Sequence, residues 1–238
     1  RCTAQNALTG PSPDCEALQA MTTGSVDSDQ DGPFSPAGFA RRAAERLRHD
    51  GGAAALAALP GDHVLNPGFV MGEGPYRDAA VLIPVVARAP TATMLLTMRT
   101  PHLTTHAGQI AFPGGKIDPT DASPTDAALR EAEEEIGLDR AFVVPVGTLD
   151  PYLTGTGYRI VPVVAMVEPG HRLTLNPHEV VSAFEVPLHF LMSPDNHRRG
   201  SREIRGATRY FYEMPFGEHY IWGVTAGIIR GLYERVFG

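Results

Sequence analysis

The 238-residue chain has two cysteines, Cys2 and Cys15, both in its first fifteen residues. The remainder therefore offers no disulfide and no thiolate zinc site, and a Cys2–Cys15 bridge is the single pairing open to it. No apolar run approaches the roughly 18 to 20 residues of a membrane helix. The N-terminus lacks the basic, apolar and small-residue order of a secretion signal, so a cytoplasmic protein is expected. Excess positive charge is missing too: the net charge of −7 argues against a broad surface for nucleic-acid backbone. No internal repeat is visible. What is present is 43 % hydrophobic content, enough for one domain with a sizeable core.

Residues 1–35 are rich in Ser, Thr, Asp, Gly and Pro and read as a flexible leader, in which Met21 is a candidate natural start. Residues 36–75 read as a helical extension and linker. In "SPAGFARRAAERLRHDGG" Ser35 is placed as N-cap, Pro36 at the first helical position, Phe39, Ala43 and Leu47 on one face, and a glycine pair at the close. Residues 76–238 form the expected catalytic domain. "DAAVLIPVVAR" and "ATMLLTMR" predict two strands joined as a hairpin across Ala89 and Pro90. "GQIAFP", "FVVPVGTLD", "YRIVPVVAMV", "VSAFEVPL" and "RYFYEMP" predict further strands. "YIWGVTAGIIRGLYERVF" predicts a closing helix with Trp222, Ala226, Ile229, Tyr233 and Val236 at helical spacing.

The densest chemistry lies in "FPGGKIDPTDASPTDAALREAEEEIGL". Ser123, Pro124 and Asp126 start a helix and Gly137 stops it. At about 100° per residue from Leu129, Glu131, Glu134 and Glu135 cluster between about 140° and 240°, away from the expected buried stripe of Leu129, Ala132 and Ile136. Glu133 falls off that cluster and is expected to be solvated. Three like charges at this spacing repel unless a cation lies between them, and hard divalent ions prefer oxygen ligands. A Glu-rich helix alone is most often a solvated face. The preceding Gly114–Gly115 pair tips the balance, since paired glycines let backbone approach a ligand closely.

These residues resemble the signature of the Nudix hydrolases: a glycine, a spacer, Arg-Glu, an apolar residue, any residue, Glu-Glu, any residue, Gly and an apolar residue. Arg130 to Leu138 match its end completely. The front departs: the Gly115–Arg130 spacing is one residue longer, and Ala122 stands where an isolated glutamate is usual, with Asp121 beside it as the candidate substitute. That spacing and the upstream "LLTMRTPHLTTHAGQIAFPGG" resemble the coenzyme A pyrophosphatase branch, with Thr100 departing from the usual Ser or Ala. "NPHEVVSAFEVPL" and "IWGVTAGII" extend the likeness to about residues 76–237.

The resemblance implies an α/β/α sandwich around a mixed sheet. It also implies a pyrophosphohydrolase in which Glu131, Glu134 and Glu135 bind Mg²⁺ or Mn²⁺, and cleavage of coenzyme A or an acyl or oxidised form to 3′,5′-ADP and 4′-phosphopantetheine. Hydrolysis of ADP-ribose or NADH, and a non-catalytic ligand-sensing domain, are the competing readings. Arg130 is expected to orient Glu134, and Glu179 is a general-base candidate beside the cluster glutamates themselves. Arg99, Gly114, Gly115 and Lys116 are expected to meet substrate phosphate. His102 and His106 are expected to be structural, and Trp222 to pack in the core rather than stack on adenine. The small-molecule substrate is the expected partner, without nucleic acid or membrane. The N-terminal helix is expected to cover a sheet edge or serve a homodimer.

Overall fold

The computed structural model describes residues 32–48, 58–68, 75–101, 108–204 and 206–238. Cys2, Cys15, Met21, His102 and His106 lie outside the described residues. The first helix, α1 (Pro36–Arg46), starts where expected: the Ser35 hydroxyl accepts the Gly38 N–H at 3.0 Å and Pro36 opens the first turn. It ends earlier than the glycine pair. Leu47 is extended, and Arg48 exchanges main-chain hydrogen bonds with Thr148, so a tertiary bridge draws the chain out of the helix.

Ten-residue strands β1 (Arg77–Val86) and β7 (Tyr158–Val167) run parallel at the centre of the main sheet, in register from Arg77 opposite Tyr158 to Val86 opposite Val167. The other pairings between its strands among the described residues are antiparallel. Strand β2 (Thr93–Arg99) joins β1 as the predicted hairpin, whose connection contains a cis Ala89–Pro90 bond, and β8 (Val180–Pro187) lies along β2. Short strands β3 (Ile110–Ala111) and β4 (Gly114–Lys116) pair with β2 and β1 respectively. Strands β5 (Val143–Thr148) and β6 (Tyr152–Leu153) pair with β7.

Both faces of this sheet are covered, which is why its central strands read as nearly continuous apolar runs. Ala80, Leu82 and Val163 face α2 (Pro124–Ile136), through Ala128, Ala132 and Ile136. Ile83, Val85, Val164 and Met166 face α1 and the last helix, α3 (Val224–Val236). The result is the expected α/β/α sandwich with a mixed sheet.

A second sheet of three strands, β9 (Arg198–Ile204), β10 (Ala207–Phe216) and β11 (His219–Trp222), precedes α3. Trp222 corrects the helix expectation: it ends β11, and Gly223, at φ 65°, turns the chain before α3 begins. Its indole meets Phe211 edge-on at 5.1 Å and lies under the Arg202 guanidinium at 4.8 Å. Helical spacing and strand alternation both fit so short a run, and pairing with β10 decides it.

His197 joins this sheet to α3. Its Nε2 lies 2.6 Å from the Leu191 carbonyl and its Nδ1 faces Arg230 at 3.4 Å. Burial first, and the Arg230 charge after it, hold its pKa below the ordinary histidine value. The unfolded chain therefore takes up this proton before the folded one does. Stability from neutral His197 is complete above the unfolded pKa, about 6.5, and is lost as pH falls through the lower folded value. Thermal melts between pH 7.5 and 5 should show a shallower acid decline in His197→Gln than in the parent; equal slopes would remove His197 as its source.

Candidate metal and phosphate site

The acidic helix is fixed at both ends. Ser123 Oγ accepts the Asp126 N–H at 3.1 Å, and Gly137, at φ 65°, closes the last turn. Its buried residues are Ala127, Ala128, Ala132, Glu135 and Ile136, a stripe rotated from the expected one centred on Leu129. Three alanines allow close packing against the sheet, and the rotation carries Glu135 inward. The expectation that all three carboxylates face away from the core is thus corrected: Glu135 is 2 % exposed, Glu131 17 % and Glu134 57 %. Glu133 is exposed, as expected, near Arg140.

The glycine pair of β4 explains how such acids are accommodated. A Cβ on Gly115 would stand 2.6 Å from the Glu131 carboxyl carbon and both its oxygens, so the carboxylate lies directly over bare backbone. A Cβ on Gly114 would collide with Ala80 O and with Val81. The Gly114 N–H instead donates to Glu135 Oε2 at 3.2 Å.

Two arginines complete the arrangement. Arg99, at the end of β2, donates to Glu135 Oε1 at 3.1 Å, joining the upstream motif to the acidic helix. Arg130 forms a fork on Asp121, with two bonds of 2.9 Å, and also donates to Glu131 and Glu134 at 3.0 Å and to the Lys116 carbonyl at 3.2 Å. Hydrogen bonding by Arg130 holds the Asp121 pKa down to about 2. Asp121, the candidate substitute for the missing glutamate, thus pairs with Arg130. Lys116 is exposed and contributes its carbonyl to this network.

Glu179 also reaches this region electrostatically. Burial is the main cause raising the Glu131 pKa and raising that of Glu135 to about 7, and the Glu179 charge raises both further. Asn176 positions that loop: its side chain donates to Glu179 Oε1 at 3.1 Å, and its N–H donates to the Glu135 carbonyl at 2.9 Å. Sequence reading passed over Asn176, although an Asn-Pro pair is a turn signal.

Among the described residues no three His, Cys, Asp or Glu side chains converge at metal-binding distance. Guanidinium groups neutralise the glutamates instead. The donor set nonetheless fits a hard divalent cation: it is all carboxylate oxygen, and the mutual charge of Glu131, Glu135 and Glu179 is a concentration of negative potential that such an ion offsets. A cavity of about 500 Å³ runs between the Pro60 turn and α3, and one of about 420 Å³ is lined by Asp118, Asp121 and Ser123 beside the Arg130 network. No helix among the described residues is long and apolar enough to cross a membrane.

The NUDIX domain family model matches residues 75–206. An uncharacterized Nudix hydrolase, NudL, of Yersinia pestis (strain Pestoides F) is 42% identical over 160 residues, covering 67% of this chain and 80% of its own. NudL of Yersinia pseudotuberculosis serotype O:1b matches to the same extent. Among solved structures, the MutT protein of Methanosarcina mazei Go1 is similar at 25% identity and TM-score 0.40, over 51% of this chain and 83% of that one. The match from the NUDIX model spans more than half the chain and includes the glycine pair, Arg130 and all three motif glutamates. The chain belongs to the Nudix family of hydrolases, the pyrophosphatase class.

Proposed function

We propose that this Nudix pyrophosphohydrolase acts on coenzyme A, or its acyl or oxidised derivatives, in the cytoplasm. Water adds at one phosphorus of the pyrophosphate and the other phosphate leaves, giving 3′,5′-ADP and 4′-phosphopantetheine or its acyl form. The observation that carries the reading is the meeting of two motifs distant in sequence: Arg99 of "LLTMR" lies 3.1 Å from Glu135 of the acidic helix, beside the glycine pair. The proximity supports the reading, because a guanidinium's planar fork suits phosphate and Glu135 is one of the carboxylates that would hold a cation.

Glu131, Glu134 and Glu135 would hold Mg²⁺ or Mn²⁺. When bound, such an ion offsets phosphate charge and lowers the pKa of water. Arg130 orients Glu131 and Glu134 while its other edge is tied to Asp121. The Gly114 N–H and Arg99 orient Glu135. The remaining Arg99 donors, and those of Lys116, bind substrate phosphate. Glu179, steadied by Asn176, receives the proton of the attacking water. No covalent enzyme intermediate is needed.

Incubation with coenzyme A, dephospho-coenzyme A, ADP-ribose and NADH, with Mg²⁺, Mn²⁺ or chelator, followed by chromatography and mass analysis, tests the assignment. Metal-dependent release of 3′,5′-ADP from coenzyme A, faster than turnover of the others, is expected. Preference for ADP-ribose or NADH would keep the chemistry and replace the substrate, and absence of turnover on all four would favour a sensing role.

A further inference from the structure

Strand β9 ends the three-stranded sheet, and among the described residues no strand pairs with its outer side. The direction of its main-chain groups follows from its neighbour. In β10 the Tyr210 N–H donates to Asn66 Oδ1 at 2.8 Å, and the Tyr210 carbonyl accepts from Asn66 Nδ2 at 3.0 Å. The Tyr212 carbonyl accepts the Gly223 N–H at 3.0 Å. These tyrosines therefore direct their main-chain groups away from β9. Opposed residues of an antiparallel pair either exchange both bonds or turn both away. Ser201 opposes Tyr210, Arg199 opposes Tyr212 and Glu203 opposes Thr208. So Arg199, Ser201 and Glu203 turn their N–H and C=O groups to the open side.

An open edge is usually guarded by charge. Here the charges are self-complementary. Two antiparallel copies of "RRGSREI" centred on Ser201 place Arg199 opposite the partner's Glu203, twice by symmetry. Centring on Gly200 would oppose Arg198 to Arg202, and centring on Arg199, Arg202 or Glu203 would oppose each to itself. A centre between residues would face outward groups with inward ones. The Ser201 register alone is free of facing like charges while keeping all seven residues paired. Arg199 and Glu203 are also steadied on one face, Arg199 over the Tyr210 ring at 5.8 Å and Glu203 by the Thr208 hydroxyl at 2.7 Å. Three large apolar side chains exposed by 40 % or more, Ile204, Tyr210 and Tyr220, belong to the same sheet.

We propose that the occupant of this edge is a second copy of the chain, joined β9 to β9 about a two-fold axis at Ser201, giving one continuous six-stranded sheet. Such isologous strand addition joins main chain to main chain, while the Arg199–Glu203 pairs set the register. The surface is separate from the carboxylate site, so it holds whatever the substrate.

Sedimentation equilibrium of the full chain tests it. The parent is expected at twice 25.5 kDa. Ser201→Pro is expected to be monomeric yet folded, because the N–H it removes points outward and proline is tolerated at such edge positions. Glu203→Arg should also be monomeric, and Arg199→Glu combined with Glu203→Arg should return the dimer. A monomeric parent, a dimer that survives Ser201→Pro, or failure of the double exchange to restore association would each overturn the proposal. Should Ser201→Pro melt early, the charge exchange alone decides.

Discussion

Glu135→Gln is expected to lower kcat/KM by at least about 100-fold, the upper part of the range seen when groups that merely support metal ligands are changed. The substitution keeps shape and removes one negative charge and one of the two acceptors, so the amide NH2 must face either Arg99 or the Gly114 N–H. Glu135 is 2 % exposed and is held by Arg99 and the Gly114 N–H, so its carboxylate stays charged only against the cost of burial. A neutral amide relieves that cost but gives up the ion pair with Arg99 and one accepted bond, so the melting temperature should change little while turnover collapses. Mn²⁺ binding, followed by paramagnetic resonance on the same samples, should weaken in parallel. The same change at Glu131 or Glu134 is expected to lower turnover with folding intact. Full activity in Glu135→Gln would remove that residue from the metal site.

Phe39→Ala is expected to give the largest stability loss of any single change in α1, about 3 to 5 kcal/mol from lost burial and the cavity left behind. For a chain of this size that is a fall of roughly 10 °C in Tm. Phe39 is fully buried, and its ring and that of Phe34 both stack on Phe237, the residue after α3. The helix precedes the segment matched by the NUDIX model, yet Phe39, Ala40 and Ala43 belong to the same core as Ile83, Val85, Leu232 and Val236. Specific activity at low temperature should survive, since α1 packs on the face of the sheet opposite α2 and its carboxylates. A Tm within about 2 °C of the parent, less than 1 kcal/mol on that scale, would mean that α1 contributes nothing to the core.

Much of the site could be read along the chain because its determinants are local. Ser123, Pro124 and Gly137 bound the acidic helix, and the arginine and three glutamates follow at helical spacing. Ser35 and Pro36 likewise set the start of α1, and the apolar runs around Ala89–Pro90 set the hairpin. Legibility failed where the deciding group lies far away. "RRGSREI" has almost no apolar residue and is a strand because β10 pairs with all of it. Trp222 sits at helical spacing from Ala226, and pairing with Glu213 makes it strand instead. Helix α1 ends at Arg46 because Thr148 binds Arg48.

The sequence by itself determined the reagents: a capped helix carrying Glu131, Glu134 and Glu135, a glycine pair before it, and an arginine at the end of a strand. Only the tertiary structure decided their environments. A helical pattern fixes which residues share a face, but burial depends on what packs against that face and how closely. Ala128 and Ala132 let α2 settle on β1, bare glycine backbone in β4 admits the carboxylates, and Glu135 sinks while Glu134 stays in solvent. Arg99 and Asn176 reach Glu135 through strand and loop placement, a proximity that no local spacing encodes.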